Sequence, residues 1–271
     1  MANKVILLMN LGSPDSTSIK DLKKYLSEFL MDERVVDVPK LLRTILVKGI
    51  IVPFRSKGSA EKYKSVWTEE GSPLIVTTNQ LAEKVEAYSA LPTYVCMRYG
   101  KGAPKEVLAQ IVKDNPDLEE VVFLPLYPHY AMSSYGTAVS HVKEAYEDLK
   151  LSFILKVVSP FYDNAQYITN VAATLKPFLE KKHDHVLFSY HGIPVRHVEK
   201  TDTTRSHCFK CENCCEIDND AHKTCYNHQV KVTTDLVAKE LGLSKDKYSV
   251  SFQSRLGTDK WLTPSTTDVL K

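Results

Sequence analysis

Two observations in the sequence predict an α/β protein of parallel sheets covered on both faces, with one α/β unit occurring twice. Short β-type runs alternate with helix-length amphipathic stretches. The strands are apolar along their length, as in sheets with no solvent face. Residues 4–9 form the first apolar run, and 18–30 a helix with Ile19, Leu22, Leu26, Phe29 and Leu30 on one face. Residues 93–98 give a second strand, followed by a helix from about Pro104, whose fixed φ suits a first helical turn. A third strand at 120–126 leads to a helix near 135–149. Residues 152–158 restart the pattern, with a helix at 164–181, a strand at 185–190, a helix at 224–241 and a strand at 248–253. The join near Lys150 divides the chain into residues 1–149 and 150–271.

Composition narrows the function classes. The 271 residues are 43% hydrophobic and 25% charged, the balance of a globular protein with a sizeable core. A net charge of +2 gives no broad basic field, so nucleic acid is not an expected partner. The apolar run at 5–9 is too short for a signal peptide. Residues 45–54 are interrupted by Lys48, Gly49 and Pro53, so nothing reads as a bilayer span. The expected location is the cytoplasm. Cys96 stands alone, while Cys208, Cys211, Cys214, Cys215 and Cys225 fall close together, which in a reducing compartment suggests metal before disulfides.

Two segments break the rhythm. Residues 35–55 are apolar with interspersed Lys40, Arg43, Lys48 and Arg55, and read either as a core helix between loops or as an apolar lip able to touch a membrane surface. Residues 201–225 are polar, acidic and cysteine-rich, and look like an insertion after a strand.

Ligands of parallel α/β sheets collect at the carboxyl ends of strands. The first strand runs into Asn10 to Pro14, where one glycine falls short of a dinucleotide fingerprint. The third ends in LYPHYAMSSYG, whose tyrosines and hydroxyls suit a planar aromatic ligand or a hydrogen-bonded turn. The strand at 185–190 delivers His191 and Gly192. A histidine there can take a proton or bind a divalent metal, or be structural.

In order along the chain, LMNLGSP (8–14), FLMDERVVDVP (29–39), GSPL (71–74), MRYG (97–100), LYP (126–128), SYHGIP (189–194) and SFQS (251–254) resemble the motifs of ferrochelatases, which insert Fe²⁺ into a porphyrin in haem synthesis. Each motif is weak alone; seven in family order are strong. The resemblance implies two Rossmann-like domains, the second incomplete, with a porphyrin, protoporphyrin IX favoured over coproporphyrin, held between them. It implies that His191 takes pyrrole protons or binds the incoming iron. Leu11, Tyr63, Ser72, Arg98, Tyr127 and Tyr130 match positions lining the porphyrin pocket, and Arg55 matches one that pairs with a propionate. The segment at 35–55 becomes a lip, with peripheral contact to the inner membrane expected.

Family members continue beyond the position of Lys271 and carry there an acidic partner for the histidine. The 271 residues are therefore expected to be clipped and to lack half of a catalytic pair. The cysteines resemble an internal cluster-binding insertion of some bacterial members, four of the five holding a [2Fe–2S] cluster, with zinc as the alternative. A porphyrin or haem carrier and a cluster-based redox sensor are the competing classes.

Overall fold

A computed structural model describes residues 3–255 and 259–271. The chain forms two compact units, Met1–Leu126 with Ser133–Ser159, and Tyr127–Met132 with Pro160–Lys271.

In chain order the first unit contains β1 (Lys4–Ser13), α1 (Ile19–Met31), α2 (Lys40–Thr44), a π-helical stretch (Ile45–Ile51), α3 (Val52–Val66), α4 (Pro73–Ser89), β2 (Thr93–Gly100), α5 (Pro104–Asp114), β3 (Glu120–Pro125), α6 (Thr137–Asp148) and β4 (Ile154–Val157). Its parallel sheet has the order β2-β1-β3-β4. Leu7, Leu8 and Met9 are consecutive and fully buried, as a strand covered on both faces requires. Ser18 caps α1, its side chain accepting from the Asp21 amide, and Leu22, Tyr25 and Leu30 form its buried face.

Two departures from the sequence reading bear on the sheet of the first unit. The strand expected to open the second half instead completes the first sheet, Glu120 to Phe123 of β3 pairing with Ile154 to Val157. A strand–helix–strand crossover through α6 lays the returning strand beside the one it left, so the change of unit falls at Ser159–Pro160 rather than near Lys150. Second, β1 runs four residues past Met9. Gly12 (φ +99°) lies opposite Tyr99, and a Cβ built there would sit 1.9 Å from the Tyr99 carbonyl oxygen. Only glycine lets the two strand ends stay paired so closely.

Residues 40–66 form one helical run. Pro53 has no N–H to offer the preceding turn, and the ladder opens into the wider π form just before it. Val47 and Val52 pack with Leu30, whereas Leu41, Leu42, Ile45, Ile50 and Phe54 (81% exposed) face solvent. Neither half of the earlier alternative is complete: one side of this run is core, the other an open apolar face. Among the described residues no helix is long and apolar enough to cross a membrane.

The second unit contains α7 (Ala165–Leu179), β5 (Val186–His191), α8 (Val195–Thr201), a 3₁₀ turn (Asp220–Thr224), α9 (Tyr226–Glu240), β6 (Tyr248–Gln253) and α10 (Thr266–Val269). β5 and β6 pair in parallel, from Val186–Tyr248 to His191–Gln253. Ile168 and Ala172 of α7 pack with Val237 of α9 and Phe188 of β5. The cysteine segment is not an appendage, because Cys208 and Cys225 belong to the same apolar cluster as Ile193, Val195, Tyr226, Phe252 and Leu262.

Candidate functional site

His191 is the last residue of β5, at the carboxyl end where the sequence placed it. Its side chain is exposed, yet the surrounding protein disfavours its charged form by burial and lowers its pKa from the ordinary 6.5. A neutral imidazole is available to accept a proton or bind a metal. Gly192 serves packing here: a Cβ would meet the Gln253 carbonyl oxygen at 2.9 Å and Trp261 at 3.5 Å. The Gly192 amide donates to that same carbonyl at 2.6 Å, and the His191 carbonyl accepts from the Tyr226 hydroxyl at 2.9 Å.

Tyr127 and Tyr130 lie on the loop that opens the second unit, both half-buried. The Tyr130 amide donates to the Gln229 side chain at 2.6 Å. Between them His129 packs edge-on against Tyr190 and Tyr226. The Thr233 hydroxyl donates to the Tyr162 carbonyl, so it accepts from His129 Nε2, which must carry the proton. Burial lowers the pKa of His129 to about 4, keeping it neutral.

In the first unit Leu11 sits near the end of β1 and is half-buried, and the adjacent Asn10 amide group donates to Thr78 of α4 at 3.0 Å. Ser72 is buried at the start of α4, with no side-chain cap bond. Tyr63 stands edge-on to Tyr25 and Trp67, and burial raises its pKa. Arg55 is exposed on α3. Arg98 is different. It is 9% exposed, its guanidinium donates to Asp32 Oδ2 at 2.5 Å and its Nε to Thr137 at 2.7 Å. Tyr99 and Thr137 hydroxyls also donate to Asp32. Burial pushes the Asp32 pKa up, but the hydrogen bonds from Thr137, the Arg34 amide and Tyr99, with the Arg98 charge, outweigh it and leave it below the ordinary value. This guanidinium is committed inside the fold.

Four of the clustered thiols, Cys208, Cys214, Cys215 and Cys225, are buried, and Cys211 is exposed. Cys225 lies in hydrogen-bonding contact with Cys208 and Cys215, and Cys215 with Cys214. The contact with Cys208 first, then burial, pushes the Cys225 thiol up to about 12, and the contact with Cys225 and burial raise Cys215 likewise. Sulfur also accepts from nitrogen: Cys214 from the Phe209 amide, Cys215 from Asn227 Nδ2 at 3.2 Å, Cys225 from the His228 amide. Among the described residues no three metal-ligating side chains are arranged to hold a metal ion. The donor set suits a thiolate-bound group; a closed ligand shell is not preformed.

Residues that sequence reasoning missed organise this segment. Asp202 Oδ1 accepts from the amides of Thr204 and Arg205 and the Thr204 hydroxyl, and Oδ2 from the amides of His207 and Cys208 at 2.9 and 2.8 Å. Burial opposes its charge, but these bonds hold the carboxyl well below the usual carboxylate range. His207 and His222 both donate from Nε2 to the Cys214 carbonyl, and His228 from Nδ1 to that of Cys215. His222 and His228 stack with centroids 3.7 Å apart. Only the Asp-x-Thr pattern at 202–204, a local turn signal, was visible beforehand.

Comparison with known proteins decides the family. A family model described as ferrochelatase matches residues 3–271. The chain belongs to the ferrochelatase family. It is 47% identical over 269 residues to a ferrochelatase of Opitutus terrae, covering 98% of this chain and 77% of that protein. It is 42% identical to one of Porphyromonas gingivalis, over 97% of this chain and 75% of that protein. A Pseudomonas entomophila ferrochelatase is 40% identical, over 98% and 79%. The chain thus follows these ferrochelatases over about three quarters of their length. The reaction is insertion of ferrous iron into a porphyrin in haem synthesis, and the protein is an enzyme, as the motifs implied.

Proposed function

We propose that this ferrochelatase acts on protoporphyrin IX, with His191 as the group that removes pyrrole protons or receives the iron. The observation that carries the reading is the position of His191: it ends a parallel strand, is open to a ligand, and is kept neutral near pH 7. Metallation releases two N–H protons from a planar macrocycle. A base whose neutral form dominates at the working pH can accept one without first losing its own. Arg98 is neutralised by Asp32, which leaves Arg55 as the cation open to a propionate among the expected pocket residues. A porphyrin with two carboxylates fits that supply of charge better than one with four. Leu11, Tyr63, Ser72, Tyr127 and Tyr130 are assigned to the macrocycle's apolar faces and edge.

The open apolar face of residues 40–66, with Lys40, Lys48 and Arg55 beside it, supports peripheral contact with an inner-membrane surface from a cytoplasmic position. Cys208, Cys214, Cys215 and Cys225 are assigned as the ligands of a [2Fe–2S] cluster, supported by their mutual contacts and N–H···S bonds, with Cys211 outside the set.

The test is anaerobic Fe²⁺ insertion followed by absorbance, with protoporphyrin IX and coproporphyrin III side by side. His191→Ala is expected to lower kcat by about 10²–10⁴-fold. An active His191→Ala protein sinks the assignment, and preference for coproporphyrin sinks the substrate reading. Iron, sulfide and zinc analysis of anaerobically purified protein tests the cluster. Stoichiometric zinc without sulfide rejects it.

A further inference from the structure

We infer that Tyr226 is a positioning residue for the metallation reaction, holding the His191–Gly192 peptide in place from the cysteine segment. The inference rests on the reading of His191 as the reacting histidine.

One peptide group carries the argument. Its carbonyl, belonging to His191, accepts from the Tyr226 hydroxyl at 2.9 Å; its N–H, belonging to Gly192, donates to the Gln253 carbonyl at 2.6 Å. The plane is therefore held at both ends, by the first residue of α9 and by the last of β6. With a peptide plane fixed, the torsion that follows the His191 Cα is fixed too, and the Cα–Cβ bond that carries the imidazole keeps its direction at the strand end. A Cβ on Gly192 would lie 2.9 Å from the Gln253 carbonyl oxygen, so the absence of a side chain is what lets the two strand ends come this close.

Tyr226 is built to hold this bond. The residue is 9% exposed and lies in the apolar cluster with Cys208, Cys225, Ile193 and Phe252, and its ring meets His129 edge-on. The His191 carbonyl can only accept, so the phenol is the donor in this bond. Its chain neighbour Cys225 caps α9, the thiol accepting from the His228 amide. Two adjacent residues thus face two tasks: Cys225 stays among the thiols while Tyr226 reaches the end of β5. The Cys225–Tyr226 dipeptide joins the cysteine segment to the end of the strand that carries the reacting histidine.

Tyr226→Phe removes the hydroxyl and keeps the ring. The expected result is a fall in kcat of about tenfold, the size of one lost hydrogen bond, with KM for porphyrin within twofold. Hydrogen exchange followed by mass spectrometry is expected to quicken in the peptide spanning 190–195, with the peptide spanning 93–100 unchanged as the folding control. Unchanged kcat and unchanged exchange at 190–195 overturn the proposal. His191→Ala run in parallel separates the two readings: if it stays active, the assignment of His191 fails, while exchange at 190–195 still reports on the Tyr226 bond. Should the Phe variant not fold, the unaltered protein decides. The proposal requires the Gly192 amide to be protected, and exchange there as fast as in the exposed turn at 181–185 overturns it.

Discussion

Each unit of the molecule holds a buried carboxylate, and the two are used in opposite ways. Apart from the nearby Arg34 amide, Asp32 gathers groups far away in sequence: Arg98, Tyr99 and Thr137, the last 105 residues distant. Asp202 gathers amides and a hydroxyl from within six residues of itself. The first carboxylate ties the end of α1 to β2 and α6, so it secures the layering of a whole unit. The second folds a loop, and its effect is local shape at the first cysteine. A buried charge paired with a distant charge belongs to the global fold, whereas one satisfied by neighbouring amides can be lost with the damage contained.

The sharpest way to break this contrast is Asp32→Ala, which leaves the Arg98 guanidinium buried without its ion-pair partner. A loss of about 3–5 kcal/mol is expected, read by denaturant unfolding, with strand exchange quickening throughout the first unit. Asp202→Ala is expected to cost less, about 1.5–3 kcal/mol for hydrogen bonds to a charged group. Its signature is faster alkylation of Cys208 and Cys225, with β1 and β2 unaffected. Should Asp202→Ala loosen the first unit as well, the local reading of that carboxylate is wrong. The smallest effect is the dependence on pH. Both folded-state pKa values lie below the ordinary 3.8, so each contribution is fully present above that value and is lost as pH falls through the folded pKa. The change in melting temperature between pH 7 and 5 should owe nothing to either group, because both contributions are fully present across that range. A fall attributable to them should appear only below about pH 4, and be absent from the matching alanine variants.

The same contrast explains what the sequence revealed. Continuous apolar runs made β1, β3 and β5 readable, and Ser18 and Asn164 marked helix starts that the structure keeps. His191 was picked out in the sequence as a candidate because a strand end is a local feature. The role of Arg98 was not: MRYG matched the family motif, but nothing in the sequence pairs it with Asp32, 66 residues earlier. β4 was given to the wrong sheet because Ile154 to Val157 reads identically whichever strand it joins, and only the crossover settles it. Tyr226 escaped notice for a similar reason, since its partner is a backbone oxygen and leaves no trace in side-chain spacing.

Gly12 carries a consequence for how this chain can vary. A methyl group at that position would occupy the space of the Tyr99 carbonyl, while one at Gly49 or Gly58 would meet nothing within 4 Å. Substitution scanning should therefore return a blank column at residue 12 and permissive ones at the other two, although all three are the same amino acid. Tolerance at a glycine is a property of its neighbour across the sheet, and the site at the end of β1 is guarded by a residue with nothing to contribute but its smallness.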